Sequence, residues 1–171
     1  MYREHGVKVG TCMSMTESYI SILDDSLNKK IDILDAFAQL NGQQTALLDK
    51  DTLDWDALER LAEQKSELVD KLNAMDEGFQ LVYNNVKSEL ENNRDRYSQE
   101  IKNLQGKIAL IMEKSSHIMA EEERNKEKIK KQLSAHRKEI TSVKKNQQYA
   151  ANYYKTMNKL SDEPVFMDKK K

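Results

Sequence analysis

Few residues of this chain have the types and spacing that catalysis or metal binding requires. His5, His117 and His136 are far apart, and none has a second histidine or cysteine at metal-ligand spacing on its own helix. Carboxylates are abundant, as in the run 121–123, but adjacent residues on a helix point in different directions, which is typical of a solvated face. The five glycines are isolated and form no phosphate-binding loop. We therefore expect no enzyme, no metal and no cofactor.

The composition favours an elongated helical protein. Of the 171 residues, 38% are hydrophobic and 33% are charged, which is few apolar and many charged residues for a globular domain. Pro164 is the only proline, so residues 1–163 contain no strong helix breaker. No apolar run could span a bilayer, no signal-peptide pattern opens the chain, and Cys12 has no partner for a disulfide. These features predict a cytoplasmic protein without membrane insertion.

A heptad seam, a stripe of mainly apolar residues, lies in the middle of the chain and must pack against other helices. It alternates steps of three and four residues and consists of Leu58, Leu61, Lys65, Leu68, Leu72, Met75, Phe79, Val82 and Val86. Such steps place side chains on one face of a helix, and Lys65 is the only polar member. A single helix with one apolar face is not stable alone, so other helices must cover the seam.

Apolar periodicity predicts an all-α fold, an elongated three-helix antiparallel coiled-coil bundle with a long C-terminal helix. The helices are expected at about residues 15–49, 55–91 and 95–160, within a single domain over 14–162. Residues 1–13 and 163–171 show no sustained period, and we expect a disordered lead-in and a disordered tail there.

Polar residues mark the helix ends. Ser14 and Glu17 have the spacing of a capping box at the start of the first helix. The next N-cap is Thr52 or Asp54, after a short polar link that favours antiparallel packing of the first two helices. Trp55, the only tryptophan, is expected to cover the end of this helical hairpin.

The third predicted helix is too long for the other two. It would extend roughly 100 Å, against roughly 50 Å for each of the others. Its apolar stripe stops over 121–128 and resumes at Ile129, shifted by about one position, which is the behaviour of a stutter. Either the helix bends near 121–127, or its second half extends beyond the other helices with an uncovered apolar stripe.

Charge is distributed unevenly along the chain. Residues 14–93 contain 17 acidic and 7 basic side chains, whereas residues 124–155 contain 10 basic and 2 acidic ones. The two regions could attract each other within one molecule or across a dimer, or the basic segment could recruit an acidic partner such as nucleic acid. No recognised nucleic-acid reading motif is present, so we expect no specific nucleic-acid binding.

The run LDDSLNKKIDILDAFAQLNGQQTALLDKDTLDWDALERLAEQKSELVDKLNAMD, residues 23–76, resembles the FlgN-type flagellar export chaperones. In that family a helix ends in leucines, a short link rich in aspartate follows, and the next helix has the pattern L-x-x-L-x-x-x-K-x-x-L-x-x-x-L. Here the pattern consists of Leu58, Leu61, Lys65, Leu68 and Leu72. FliT-type filament-cap chaperones share the leucine and lysine pattern, so the subfamily stays open.

The resemblance implies a cytoplasmic chaperone that keeps hook-associated proteins soluble, delivers them to the export apparatus and releases them at the export gate. It also implies that the C-terminal helix binds an amphipathic helix of the client protein. Carried onto this sequence, the client-binding stripe is Val143, Ala150, Tyr153, Tyr154, Met157 and Leu160. A structural coiled-coil scaffold that uses the same stripe to form homodimers is the alternative.

Overall fold

The computed structural model describes residues 13–136, 148, 151–153 and 155. Within these residues three long α-helices follow one another: α1 over Met15–Leu48, α2 over Trp55–Asn92 and α3 over Ser98–His136. Residues 148, 151–153 and 155 are also helical, and no strand occurs in the described residues. The predicted all-α fold is confirmed. The expectations for residues 1–12 and 163–171 lie outside the described part of the chain.

Local hydrogen bonds explain where the first two helices begin. Ser14 N donates to Glu17 Oε2 at 2.9 Å, and Glu17 N donates to Ser14 Oγ at 3.1 Å, which completes a capping box. The start of α2 is capped by Asp54, whose Oδ1 accepts from Ala57 N at 2.9 Å. Both caps satisfy backbone amides that a helix start leaves without an internal partner. The capping box at Ser14 is confirmed, and Asp54 rather than Thr52 caps α2.

The three helices form an up-down-up bundle with α1 packed against both α2 and α3. The short link after α1 turns α2 back along α1. Ion pairs join Asp24 to Lys107 and Asp49 to Lys128, so residue numbers rise together on α1 and α3, and these two helices are parallel. Each helix is roughly 50 to 60 Å long at 1.5 Å per residue, which makes the bundle elongated.

Buried positions follow the three-and-four alternation along α1 and α3. Those of α1 are Ile20, Leu23, Leu27, Lys30, Leu34, Phe37, Asn41, Gln44 and Leu48. Those from Tyr97 through α3 are Tyr97, Leu104, Ile111, Ile118, Glu122, Asn125 and Ile129. Because Glu122 and Asn125 continue the alternation between Ile118 and Ile129, the seam does not shift there. The predicted stutter is therefore wrong, and α3 is helical through 121–127.

The seam of α2 differs from its predicted form at the flanking positions. Leu58, Leu61, Leu72, Phe79 and Val86 are buried, whereas Leu68, Met75 and Val82 are half-buried. Val69, which the predicted seam omitted, is 1% exposed. The buried face of α2 therefore includes Val69, and the half-buried Leu68, Met75 and Val82 lie along one flank of that face.

None of the helices in the described ranges combines the length and the apolar character that crossing a lipid bilayer would demand.

Candidate functional site

A layer of polar residues crosses the interior of the bundle. We call Asn41, Gln44, Lys65, Glu122 and Asn125 the polar layer. Each of the five is at most 1% exposed, although each occupies a position where a coiled coil normally places an apolar side chain. The layer separates a small apolar core from a long one, which extends from Ile20 to Phe37 on α1, from Val69 to Leu90 on α2 and from Tyr97 to Ile118 along α3. Each of the three helices contributes to the polar layer. A buried polar layer of this size must satisfy its own hydrogen bonds.

The small core lies beyond the polar layer, at the end of the bundle where α1 turns into α2. It consists of Leu48, Leu58, Ala62, Ile129 and Tyr153, and Trp55 packs against it. The expectation that Trp55 covers the end of the hairpin agrees with this position.

A buried ion pair between Lys65 and Glu122 is the centre of the polar layer. The Lys65 Nζ also donates to Gln44 Oε1 at 2.6 Å. Asn125 Nδ2 donates to the same Gln44 oxygen at 3.2 Å. One amide oxygen of α1 thus accepts from both α2 and α3, and the three helices are connected through it.

A second set of contacts extends the layer along α1. The Thr45 hydroxyl lies 3.0 Å from both Asn41 O and Asn125 Oδ1. Asn41 Nδ2 lies 3.5 Å from Ile118 O, at the outer limit of a hydrogen bond. Among the described residues, no donor reaches Asn41 Oδ1 or Glu122 Oε2. The layer is therefore connected but not fully satisfied by the part of the chain that the structure describes.

Burial and a nearby carboxylate shift the pKa of Lys65 in opposite directions. Burial lowers the pKa of Lys65 below its usual value of 10.5, because a charged ammonium loses its hydration, and the negative charge of Glu122 partly offsets that effect. Two aromatic rings also face the ammonium, with the Nζ 5.4 Å from the Phe37 ring centre and 5.8 Å from that of Tyr153. Cation–π contacts of this length are favourable when the cation is desolvated.

Tyr153 contacts two helices at the polar layer. Its hydroxyl donates to the backbone oxygen of Glu122 at 2.6 Å, and its ring faces Lys65. The side chain is 2% exposed. Tyr153 follows α3 in the chain and links α2 to α3 through these two contacts. Tyr153 is the only member of the predicted client-binding stripe that the structure describes, and it is buried in the chain itself. Val143, Ala150, Tyr154, Met157 and Leu160 lie outside the described residues.

The contact between Tyr153 and Glu122 also corrects the predicted third helix. On one straight helix, residues 122 and 153 would be roughly 46 Å apart at 1.5 Å per residue. Their hydrogen bond is 2.6 Å long, so they do not belong to one straight helix. A single straight helix over 95–160 is therefore wrong, whereas α3 is helical through 121–127 and continues to His136.

Sequence reasoning singled out Lys65 but missed its partners. Glu122 was expected on a solvated face because it stands between two other glutamates, yet it is fully buried. Gln44 and Asn125 are polar residues within stripes of apolar ones, so the stripes alone do not predict their burial. One signal was available: continuing the steps of three and four from Ile118 predicts positions 122 and 125 as buried.

The arrangement is suited to holding helices together rather than to catalysis. Lys65 and Glu122 are both closed off from solvent, so a substrate cannot approach them without a change in the fold. In the described ranges, no group of three or more histidine, cysteine or acidic side chains could hold a metal ion.

Comparison with known proteins gives one finding about the family. A family model described as FlgN protein matches residues 13–160. Comparisons with curated proteins and with solved structures give no match. The matched range includes all three helices, the polar layer and the whole predicted client-binding stripe.

Proposed function

We propose, from the premise that the chain belongs to the FlgN family of flagellar export chaperones, that it binds hook-associated proteins in the cytoplasm before type III export. The observation that supports this most is the extent of the family match, which continues from the start of α1 to residue 160. The resemblance in residues 23–76 alone covered only the first helical hairpin. The longer match also includes the C-terminal residues in which we place the client site.

The proposed mechanism is passive. A client protein presents an amphipathic helix that aggregates when its apolar face is exposed, and the chaperone covers that face until export. The stripe Val143, Ala150, Tyr153, Tyr154, Met157 and Leu160 would make this contact. Burial of one large apolar side chain contributes roughly 1.5 to 3 kcal/mol, so a few such contacts suffice for a reversible complex. Components of the export apparatus would then take over the client.

Co-purification tests the proposal. The double variant Tyr154→Ala with Met157→Ala should lose a co-expressed hook-associated protein, because two large contact side chains are removed. Helix content and melting temperature should stay almost unchanged, as circular dichroism would show. Leu81→Ala is the matched control, since Leu81 is a large apolar side chain that is 69% exposed on α2 and outside the stripe.

Two results would redirect the proposal. Normal client binding by the double variant would place the interface elsewhere, and the acidic helices α1 and α2 would be tested next. Retention of a filament-cap protein in place of a hook-associated protein would change the proposed class of client. Light scattering on the purified chain would show whether the same stripe forms a homodimer.

A further inference from the structure

Tyr153 connects the C-terminal part of the chain to the bundle. Of the described residues after His136, Tyr153 alone is buried, whereas residues 148, 151, 152 and 155 are exposed. Tyr153 is 2% exposed, and its contacts are made with α2 and α3 at the polar layer. We call the surroundings of its ring and hydroxyl, formed by Lys65, Glu122 and the small core, the Tyr153 site.

Removal of the Tyr153 side chain from its site requires less free energy than removal of a similar side chain from an ordinary apolar core. An apolar site that loses its side chain exposes only apolar surface to water, which is unfavourable. At the Tyr153 site, water would reach Lys65, whose charge is desolvated, and Glu122, whose Oε2 has no donor among the described residues. Hydration of these two groups offsets part of the free energy that is lost with the contacts of Tyr153. Docked and undocked states are therefore closer in free energy than they would be at an apolar site.

We propose that Tyr153 is a reversible plug, docked between α2 and α3 in the free chaperone and released when the client helix binds. This inference rests on the proposed function, in which Tyr153 belongs to the client-binding stripe. The same side chain cannot contact Lys65 and the client at once. Client binding must then compete with docking, and the measured affinity is reduced by the fraction of chaperone in the docked state.

The chain contains its own reporter for this change. Trp55 is the only tryptophan and packs against the small core that includes Tyr153. Release of Tyr153 changes the surroundings of the indole, and its fluorescence emission should move to longer wavelength as water gains access. The emission of the Tyr153→Ala variant without client gives the undocked reference.

The experiment uses the full chain and a synthetic peptide with the sequence of the C-terminal helix of the co-purified hook-associated protein. Saturating wild type with peptide should move the Trp55 emission to that of peptide-free Tyr153→Ala. Tyr153→Phe removes only the hydroxyl that donates to Glu122 and keeps the ring for the client. It should bind the peptide roughly threefold to tenfold more tightly, which is the effect expected from loss of one buried hydrogen bond in the docked state.

Tyr97→Phe is the matched control, because Tyr97 is a buried tyrosine, 3% exposed, immediately before α3. It should leave both the peptide affinity and the Trp55 emission unchanged. Circular dichroism melting of each variant establishes that it is folded before the peptide is added.

Three results would overturn the plug. The first is peptide binding with unchanged Trp55 emission, and the second is unchanged or weaker peptide binding by Tyr153→Phe. The third is identical emission of wild type and Tyr153→Ala without peptide, which would mean that Tyr153 is not docked. Failure of the peptide to bind any of the proteins, although Tyr153→Ala changes the emission, would instead contradict the proposed function and, with it, the coupling to a client.

Discussion

The long apolar core and the polar layer occupy equivalent positions of the same helices. Both follow the alternation of three and four residues along α1, α2 and α3. In the long core these positions are mostly apolar, as with Leu23 and Phe37, which are 0% exposed. In the polar layer they hold Gln44, Lys65 and Glu122, which are equally buried. Burial in this bundle is thus decided by helical position, and residue type decides only which interaction stabilises the position.

This difference implies different tolerance to substitution. An apolar layer loses free energy in proportion to the atoms removed and to the cavity that remains. A buried ion pair behaves differently, because removal of one partner leaves the other charged and desolvated, whereas replacement of both by apolar residues is often neutral or stabilising. The residues of the polar layer also pair with specific partners on the other helices, and this pairing favours one register of the three helices over others.

The largest effect is expected from breaking the buried pair on one side only. Lys65→Met leaves the Glu122 carboxylate buried without its cation, and the free energy of unfolding should fall by about 3 to 5 kcal/mol. Urea unfolding followed by circular dichroism measures this. The double variant Lys65→Met with Glu122→Leu should recover most of the loss. A single variant as stable as wild type would show that water reaches Glu122 in solution.

A substitution in the long apolar core should lower the free energy of unfolding somewhat less than Lys65→Met does. Leu72 is 6% exposed, and Leu72→Ala should lower the free energy of unfolding by about 2 to 5 kcal/mol through lost contacts and a cavity. Leu81→Ala on the same helix is the control, and it should change the stability by less than about 0.5 kcal/mol. Equal effects of the two alanine substitutions would contradict the burial pattern of α2.

The smallest effect is a pH dependence specific to the polar layer. Burial lowers the pKa of Lys65 in the folded chain below 10.5, its usual value. At a pH between the pKa of the folded chain and that of the unfolded chain, Lys65 is therefore more protonated in the unfolded chain than in the folded chain. Stability contributed through Lys65 should therefore rise as the pH rises through that window. Urea unfolding at several pH values up to 10 tests this in wild type and in Lys65→Met with Glu122→Leu. Parallel curves for the two proteins would contradict a lowered pKa.

The sequence by itself determined the first two helices, the start of the third and the family. The capping box at Ser14, the polar link before α2 and the long stripes of apolar residues predict three helices because each signal is local. The lysine within the leucine pattern at Lys65 pointed to the resemblance that the family match over residues 13–160 later supported.

Only the tertiary structure decided which polar residues are buried and where Tyr153 lies. Glu122 lies 57 residues from Lys65 and Asn125 lies 81 from Gln44, so no local pattern shows that each will find a partner. A polar side chain in a sequence looks solvated unless its partner is known, and the partner is brought to it by the packing of another helix. The position of Tyr153 depends in the same way on a hydrogen bond and a ring contact that only the assembled α2 and α3 provide.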